Sequence, residues 1–216
     1  MTSRPEFFAD LPILREAQVA LASASPRRRE LLARLMPPDT FRIISADIDE
    51  SRRTAEAPVD YVIRLALEKA EAGSKLWLAA NPSSGTKLII AADTSVVLGD
   101  IIYGKPSDPQ DTARMLSELA GRTHTVITGF AARLLDASHK VVREESNYCS
   151  TEVEIRNLSK AEIEWYIATG EPQDKAGAYA VQGYGGTLVS SVRGDYYNVV
   201  GLPLVPLIEM LRSFEV

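Results

Sequence analysis

Apolar and polar residues alternate along this chain in blocks whose periods distinguish strands from helices. Short apolar runs rich in β-branched residues are typical of buried strands, and apolar positions repeated every three or four residues are typical of helices. Strands are predicted at 18–22, 41–45, 87–92, 95–98, 101–103, 123–127, 141–151, 187–192 and 197–200. Helices are predicted from residue 26 and at 58–78, 108–119, 159–168 and 202–214, with a polar loop at 81–86. Because the two kinds of element alternate, the predicted fold class is α/β, with a mixed, twisted sheet flanked by helices.

The turn after the first strand combines a helix start with an unusual charge pattern. Ser25 is a good N-cap, and Pro26 suits the first helical position. Arg27, Arg28 and Arg29 follow in the first turn, where the helix dipole disfavours each cation by roughly 0.3–1 kcal/mol. A bound phosphate would remove this conflict, because the backbone N–H groups and the guanidinium groups could then share one anion.

Helical geometry separates the three arginines, since successive residues turn by about 100°. Arg28 falls on the face that is formed by Leu31 and Leu32. Arg27 lies at the edge of that face, and Arg29 points away from it. A solvated basic turn is the alternative interpretation, and it fits Arg29. For Arg28 an anion site is the better hypothesis, because a strand, a serine-rich turn and a helix often form a phosphate cradle.

Composition narrows the class of protein. The chain has 216 residues, of which 45% are hydrophobic, so it is long enough to bury a core and is not a disordered chain. Its 24 Lys and Arg residues against 29 Asp and Glu residues give a net charge of −5, which argues against non-specific nucleic-acid binding. Cys149 is the single cysteine, so disulfide frameworks and cysteine metal sites are excluded. With no apolar run near the roughly 20 residues that span a bilayer, a soluble cytoplasmic protein without membrane contact is expected.

Three segments carry candidate catalytic side chains. Asp47, Asp49 and Glu50 follow the second strand and either hold a divalent metal or form a solvated acidic loop. Lys69 falls on the inner stripe of the longest predicted helix, so it either pairs with an anion or extends to the rim. Asp93 directly follows a strand that is apolar on both faces, and open α/β sheets bind ligands at the carboxyl ends of their strands. The alternative role for Asp93 is to open an Asx-turn.

Further candidates lie in the second half of the chain. Lys105 is in an ordered turn that follows a predicted hairpin. The stretch 171–186 is rich in glycine and contains Lys175 and Gln182, so it is either a ligand-binding loop or a plain connection. His124 lies within a predicted strand, where a structural role is more common than general-base catalysis.

Six short motifs occur in one order along the chain. They are SASPRR at 23–28, ADT at 92–94, GKP at 104–106, GRTHTV at 121–126, GEPQDKAGAY at 170–179 and VGLP at 200–203. Together they resemble the motifs of the Maf family of nucleotide pyrophosphatases, and the resemblance runs from about residue 19 to the C-terminus. It divides the chain into an N-terminal extension at 1–15 and a Maf-like domain at 16–216.

The resemblance implies a fold with two lobes and a cleft, similar to that of the inosine-triphosphate pyrophosphatases. It implies that nucleoside triphosphates are hydrolysed between the α and β phosphates, which gives a nucleoside monophosphate and pyrophosphate. A homodimer and a divalent cation, Mg²⁺ or Mn²⁺, are further expectations. The catalytic residues implied are Glu50, Lys69, Asp93 and Lys105, with Glu50 and Asp93 as metal ligands. The substrate-binding residues implied are Ser23, Arg27, Arg28, Thr94, Lys175 and Gln182.

Alternatives to this scheme remain open. Asp93 is the expected proton acceptor and Glu50 the expected holder of metal or water, but the two roles can be exchanged. Another function in the same class is hydrolysis of other non-standard nucleotides, as in the inosine-triphosphate pyrophosphatase group. A different class is a non-catalytic nucleotide sensor that regulates division, although a pure binder has no use for a catalytic base such as Asp93.

Three positions indicate which base is bound. Arg27, Thr94 and Gln182 match the pattern of family members that resemble dTTP/UTP pyrophosphatases, whereas members that prefer 7-methyl-GTP carry Trp, Gln and Glu there. The Gln182 amide can donate to O4 and accept from N3–H of uracil or thymine. A flipped amide could pair with cytosine, so CTP and modified pyrimidine nucleotides are secondary candidates.

Overall fold

The computed structural model describes Phe8 and residues 10–80 and 83–214, which form two compact units. Unit 1 contains the described residues up to Asp93, together with Gly129–Tyr148 and the described residues from Gly201 onward. Unit 2 contains Thr94–Thr128 and Cys149–Val200. The two units agree with the two lobes that the family resemblance implies.

Strands and helices alternate along the described chain, as predicted. The strands are β1 (Gln18–Leu21), β2 (Phe41–Ile43), β3 (Lys87–Leu98), β4 (Ile101–Tyr103), β5 (Thr123–Leu135), β6 (Val141–Ile155) and β7 (Val189–Arg193). The helices are α1 (Ile13–Glu16), α2 (Pro26–Leu32), α3 (Pro58–Ala80), α4 (Pro109–Leu119), α5 (Lys160–Ala168), α6 (Tyr196–Val200) and α7 (Leu204–Leu211). Short 3₁₀ turns occupy Glu171–Asp174, Ala176–Ala178 and Gly183–Thr187.

The strands form a mixed sheet. Their order is β2-β1-β3-β5-β6-β7, and β4 pairs with β3. β1 runs parallel to β2 and to β3, whereas β4 is antiparallel to β3 and β7 is antiparallel to β6. The three longest strands, β3, β5 and β6, each begin in one unit and end in the other. This sheet with its helices confirms the predicted α/β class.

In unit 1, α3 packs closely against strand residues. Ala66 and Ala70 of α3 are fully buried against apolar residues of β1 and β3. A Cβ on Gly129 would lie 2.3 Å from Val62 O, so glycine is required where β5 approaches α3. The inner stripe predicted for this helix is therefore confirmed, and Lys69 lies on the same stripe.

Unit 2 has its own core, which α4, α5 and strand residues form. Leu116 and Leu119 of α4 and Tyr166 of α5 are fully buried in it. The capping box predicted for α5 is present, because Ser159 Oγ accepts from Glu162 N at 3.3 Å and the Glu162 carboxylate accepts from Ser159 N at 2.7 Å.

β3 is longer than the pattern predicted. The expected strand end at Asp93 and the separate strand at 95–98 are wrong, because the backbone stays extended throughout β3. Its last residues pair with β4, where Val96 lies opposite Tyr103. Neither glycine nor proline interrupts this stretch, so the ladder continues. Asp93 is therefore in mid-strand and does not open an Asx-turn.

Residues 197–200 belong to a helix, and the strand predicted there is wrong. The Asp195 carboxylate accepts a hydrogen bond from Asn198 N at 2.9 Å, which caps the first turn of α6. The buried Asn198 amide donates to Val126 O and to Thr151 Oγ1, both at 2.9 Å. These partners are 72 and 47 residues away in the sequence, so the local pattern of apolar residues could not indicate the helix.

The extension predicted at 1–15 lies partly outside the described residues, as does the start of the loop at 81–86. The described part of the extension packs in unit 1, where Leu14 of α1 is buried and Phe8 N donates to Leu35 O at 2.8 Å. Among the helices of the described residues, none has both the length and the apolar character that crossing a membrane requires.

Candidate active site

The N-terminus of α2 has the cap that the sequence predicts. Ser25 Oγ accepts a hydrogen bond from Arg28 N at 3.4 Å, and Pro26 occupies the first helical position. The Arg28 guanidinium donates from Nε to Gly201 O at 2.8 Å and from Nη1 to Ser23 Oγ at 3.2 Å. The half-buried Arg28 side chain is therefore held in one place at the start of the helix.

Burial and neighbouring charges both act on Arg28. Burial lowers the pKa of its guanidinium, and the charge of Asp93 opposes that shift. Arg27 lowers the same pKa, and Glu50 raises it. Since arginine stays protonated in proteins, two guanidinium groups and two carboxylates here act on one another as charges. Arg29, by contrast, is exposed, as its position on the helix predicted.

Lys69 lies between two carboxylates. Its Nζ is 2.6 Å from Asp93 Oδ1 and 2.7 Å from Glu50 Oε1. The Lys69 and Asp93 side chains are each 12% exposed, whereas the Glu50 side chain is 50% exposed. The lysine therefore pairs with anions, and the alternative in which it extends alone to the rim is wrong.

Two regular elements bring Lys69 and Asp93 together. Lys69 is one turn from Leu65 and Ala66 on the buried stripe of α3. Asp93 belongs to β3, whose first seven residues are all buried. Because α3 packs on the sheet through small side chains, a lysine on this stripe reaches a carboxylate that projects from β3.

Glu50 lies in the segment 44–57, which has no regular secondary structure, and α3 holds this segment in place. Tyr61 OH donates to Glu50 O at 2.7 Å. Arg64 Nη2 donates to Ser51 O at 3.0 Å. Both donors come from the first two turns of α3, so the helix that carries Lys69 also positions the second carboxylate.

Arg64 is itself fixed by two glutamates. It donates to Glu56 from Nε at 2.6 Å and from Nη2 at 2.9 Å, and to Glu68 from Nη1 at 3.1 Å. The hydrogen bonds from Arg64 lower the pKa of Glu56 to about 2. Sequence reasoning missed the roles of Tyr61, Arg64 and Glu56. A signal was present, because positions 61, 64 and 68 recur at helical spacing beside the buried stripe of α3.

Four of the residues predicted for the site belong to unit 2. Thr94 Oγ1 lies 2.9 Å from Thr128 Oγ1. Lys105 is exposed in the turn that follows β4. Lys175 Nζ donates to Glu171 O at 2.7 Å, so its ammonium contacts its own loop, and its contact with substrate stays a prediction.

Gln182 is the fourth of these residues. It is half-buried and directly precedes the 3₁₀ turn Gly183–Thr187. Its side chain makes no capping hydrogen bond to that turn. The remaining residues predicted for the site lie in unit 1, and they are Ser23, Arg27, Arg28, Glu50, Lys69 and Asp93.

Glu50 and Asp93 offer carboxylate oxygens, the kind of ligand that divalent ions such as Mg²⁺ prefer. Both reach one point, since each has an oxygen within 2.7 Å of the same ammonium nitrogen. Mg²⁺ is usually held by one or two carboxylates together with substrate phosphates, so two carboxylates suffice. Within the described residues, no group of three His, Cys, Asp or Glu side chains is arranged to hold a metal. An ion held by this pair would need further ligands, which substrate phosphates could provide.

Relatives of this chain are found among curated proteins. A dTTP/UTP pyrophosphatase of Shewanella denitrificans is 50% identical, and the match covers 89% of this chain and 94% of that protein. A dTTP/UTP pyrophosphatase of Moorella thermoacetica is 48% identical, with coverage of 93% and 96% respectively. Among solved structures, a nucleoside-triphosphatase (dITP/XTP pyrophosphatase) of Mycobacterium abscessus is similar at 16% identity and a TM-score of 0.35, covering 70% of this chain and 94% of that chain.

The family match includes every residue predicted for the site. Residues 18–214 match the family described as Maf-like protein. The matched range begins at β1. It includes the arginines in the first turn of α2, Lys69 with its two carboxylate partners, and the loop of Gln182. With such a match over nearly all of its length, this chain belongs to the Maf family.

Proposed function

We propose that this protein hydrolyses dTTP and UTP between the α and β phosphates, releasing pyrophosphate and the nucleoside monophosphate. The observation that carries the proposal is the contact of Lys69 with both Asp93 and Glu50, two carboxylates whose charges also act on Arg28. The names of the Shewanella and Moorella relatives, at 50% and 48% identity, support the same activity.

In this proposal the cationic side chains bind the triphosphate. Arg27 and Arg28 at the start of α2 contact phosphate oxygens through their guanidinium groups. Lys69 keeps its contact with Asp93 and replaces its contact with Glu50 by one to a phosphate oxygen. Lys105 contributes a further positive charge. Cations that are already in place stabilise the charge that develops on the leaving pyrophosphate.

Asp93 is the proposed proton acceptor. The water oxygen bonds to the α-phosphorus while the bond from that phosphorus to the bridging oxygen breaks, and pyrophosphate leaves with the bonding electrons. Asp93 takes the proton that the water loses. Lys69, at 2.6 Å from Oδ1, keeps the carboxylate in one orientation. Glu50 holds metal or water, and the roles of the two carboxylates can be exchanged.

We also propose that Glu50 and Asp93 hold Mg²⁺ or Mn²⁺ together with the substrate phosphates. Such an ion supplies a Lewis acid at the α-phosphate and lowers the pKa of a bound water. The protein contributes orientation, because Tyr61 donates to Glu50 O at 2.7 Å and Arg64 donates to the next carbonyl at 3.0 Å.

Base selection is assigned to Arg27, Thr94 and Gln182. The Gln182 amide donates to O4 and accepts from N3–H of uracil or thymine, a pattern that cytosine presents in reverse. A glutamate at this position would suit the cationic ring of 7-methylguanine. UTP and dTTP should therefore be preferred over 7-methyl-GTP, with CTP as a secondary substrate.

A pyrophosphate-release screen tests this function. The protein is offered UTP, dTTP, CTP, ATP, GTP, ITP and 7-methyl-GTP with Mg²⁺ or Mn²⁺, and kcat/KM should be highest for UTP and dTTP. Asp93→Asn should bind nucleotide but turn it over about 100-fold more slowly, because the amide cannot accept the proton. Asp39→Asn is the matched control, since it changes an exposed carboxylate that lies before β2 and is not a candidate for the site.

Each alternative function has its own outcome in that screen. Highest activity on ITP would favour the inosine-triphosphate type of hydrolase over the pyrimidine assignment. Nucleotide binding without pyrophosphate release from any substrate would favour a sensor. Equal turnover in Asp93→Asn and wild type would remove Asp93 from the mechanism.

We further propose that the protein is a cytoplasmic homodimer that binds no nucleic acid. The single Cys149 agrees with a reducing compartment, and the net charge of −5 disfavours nucleic acid. Light scattering during size-exclusion chromatography measures the oligomeric state directly.

A further inference from the structure

Gln182 carries the proposed base contact, so the position of its side chain determines how a base is bound. It makes no capping hydrogen bond to the 3₁₀ turn Gly183–Thr187. The placement of its amide therefore depends on how firmly the backbone is held on either side of it.

Glu171 holds the backbone that follows Gln182. Its carboxylate accepts a hydrogen bond from Tyr184 N at 3.0 Å and another from Gly185 N at 2.8 Å. Burial by itself would raise the pKa of Glu171, but the hydrogen bonds from Gly185, Tyr166 and Tyr184 outweigh burial and lower it. A charged carboxylate thus binds two neighbouring N–H groups of the loop.

Tyr166 holds the backbone that precedes Gln182. Its hydroxyl accepts a hydrogen bond from Ala180 N at 3.2 Å and donates to Glu171 Oε1 at 2.8 Å. The Tyr166 ring is fully buried in the core of unit 2, so this support is rigid. The two side chains, Tyr166 and Glu171, are joined to each other and form what we call the loop clamp.

Glycines let the loop close around the loop clamp. Gly183 has φ of +63°, and a Cβ there would lie 2.2 Å from Glu171 Oε2. A Cβ on Gly185 would lie 2.3 Å from Ala180 O and 2.6 Å from Tyr166 OH. The residues around Gln182 therefore fit the clamp so closely that a side chain at either glycine would force the loop away from it.

We propose that Glu171 and Tyr166 are positioning residues for pyrimidine selection. They hold the backbone of Gln182 so that its amide meets uracil or thymine in one orientation, and the inference rests on the proposed function. A loosened backbone lets the amide move out of reach of O4 and N3–H, so the contacts that favour uracil over cytosine weaken. Without the loop clamp, the preference for UTP over CTP narrows.

The test is the ratio of kcat/KM for UTP to that for CTP. Tyr166→Phe removes one hydroxyl and keeps the buried ring, and Glu171→Gln keeps the size of the side chain but loses an acceptor. Each should narrow the ratio roughly tenfold, chiefly through a higher KM for UTP, because one hydrogen bond that positions the loop is lost. Glu164→Gln changes an exposed carboxylate of α5 and should leave the ratio unchanged.

A double variant separates positioning from general loosening. Loss of fold stability lowers activity on UTP and CTP alike and leaves their ratio intact. Gln182→Ala shows the UTP-to-CTP ratio of kcat/KM in the absence of the amide that reads the base. Adding Tyr166→Phe to Gln182→Ala should not change that ratio further. If the ratio collapses in Gln182→Ala but not in Tyr166→Phe or Glu171→Gln, the loop clamp has no positioning role.

Failure of the proposed function gives a different result. A ratio that survives in Gln182→Ala overturns base reading by Gln182 and the positioning role with it. If wild type releases no pyrophosphate from any nucleotide, the hydrolytic function is wrong. The positioning role is then measured as the ratio of UTP to CTP affinity by calorimetry, and the same ratio in wild type and Tyr166→Phe overturns it.

Discussion

Acid should destabilise this protein through one buried histidine. His124 in unit 2 is 2% exposed, and its Nε2 lies 2.7 Å from Tyr179 OH. Within the described residues, its Nδ1 has no hydrogen-bond partner. A positive charge on this ring would lose hydration, so burial lowers the pKa of His124 from 6.5 to about 4.

The sign of the effect follows from the two pKa values. Because the pKa in the folded state is below that in the unfolded state, the unfolded chain binds the proton more readily. The stability that comes from neutral His124 is fully present above pH 6.5 and is lost as the pH falls toward 4. At about 1.36 kcal/mol per pH unit, the loss should be about 1.4 kcal/mol at pH 5.5 and about 3 kcal/mol below pH 4.

Urea unfolding at several pH values, followed by tryptophan fluorescence, measures this loss. His124→Gln removes the titrating group and keeps a polar atom that can reach Tyr179. Between pH 7.5 and 5.5, the free energy of unfolding of wild type should fall by about 1.4 kcal/mol more than that of His124→Gln.

A second variant isolates burial as the cause. Tyr179→Phe removes the hydrogen bond to His124 but keeps the ring that buries it. This variant should be less stable than wild type at every pH and should show the same acid dependence. Parallel pH curves for wild type and His124→Gln would refute the reasoning.

Other outcomes test the candidate site. EDTA should abolish pyrophosphate release and Mg²⁺ or Mn²⁺ should restore it, whereas undiminished turnover in chelator would rule out the metal. Arg28→Ala should lower kcat/KM at least about tenfold through the loss of a charged phosphate contact, while the exposed Arg29→Ala should be nearly silent; equal losses in both would contradict the anion site. Tyr61→Phe should lower kcat in wild type but not in Glu50→Gln, and additive losses in kinetic assays would show that the hydroxyl does not act through Glu50. Gln182→Glu should narrow or reverse the kcat/KM ratio of UTP to 7-methyl-GTP, and an unchanged ratio would remove Gln182 from base selection.

Features with local causes could be predicted from the sequence. Ser25 beside Pro26 identified the cap of α2, because the capping side chain and the backbone N–H that donates to it are only three residues apart. Lys69 was predicted to need an anion because helical periodicity placed it on an apolar stripe, where an unpaired cation is costly. The contacts of Lys69 with Asp93 and Glu50 bear out that reasoning.

Features that depend on distant partners could not be predicted in this way. Tyr61 donates to a carbonyl 11 residues away, and Glu171 accepts from an N–H 14 residues away across an irregular loop. Asn198 reaches a partner 72 residues away, which turns a strand-like pattern into a helix. No period or cap motif records such pairings, because they arise only when separate elements pack.

Lys69 acts as a counter-ion for the carboxylates of Asp93 and Glu50, so the site contains its own positive charge. Two carboxylates that meet at one point repel each other, and in many metal sites only the metal holds such ligands together. Here the ammonium group already does so, at 2.6 and 2.7 Å from Asp93 and Glu50. We therefore expect the fold to be independent of a bound metal ion, so that a chelator should stop turnover without lowering the melting temperature. In Lys69→Met the two carboxylates would lose the cation between them, so the stability of that variant should depend on a bound metal ion. Mg²⁺ should therefore raise its melting temperature.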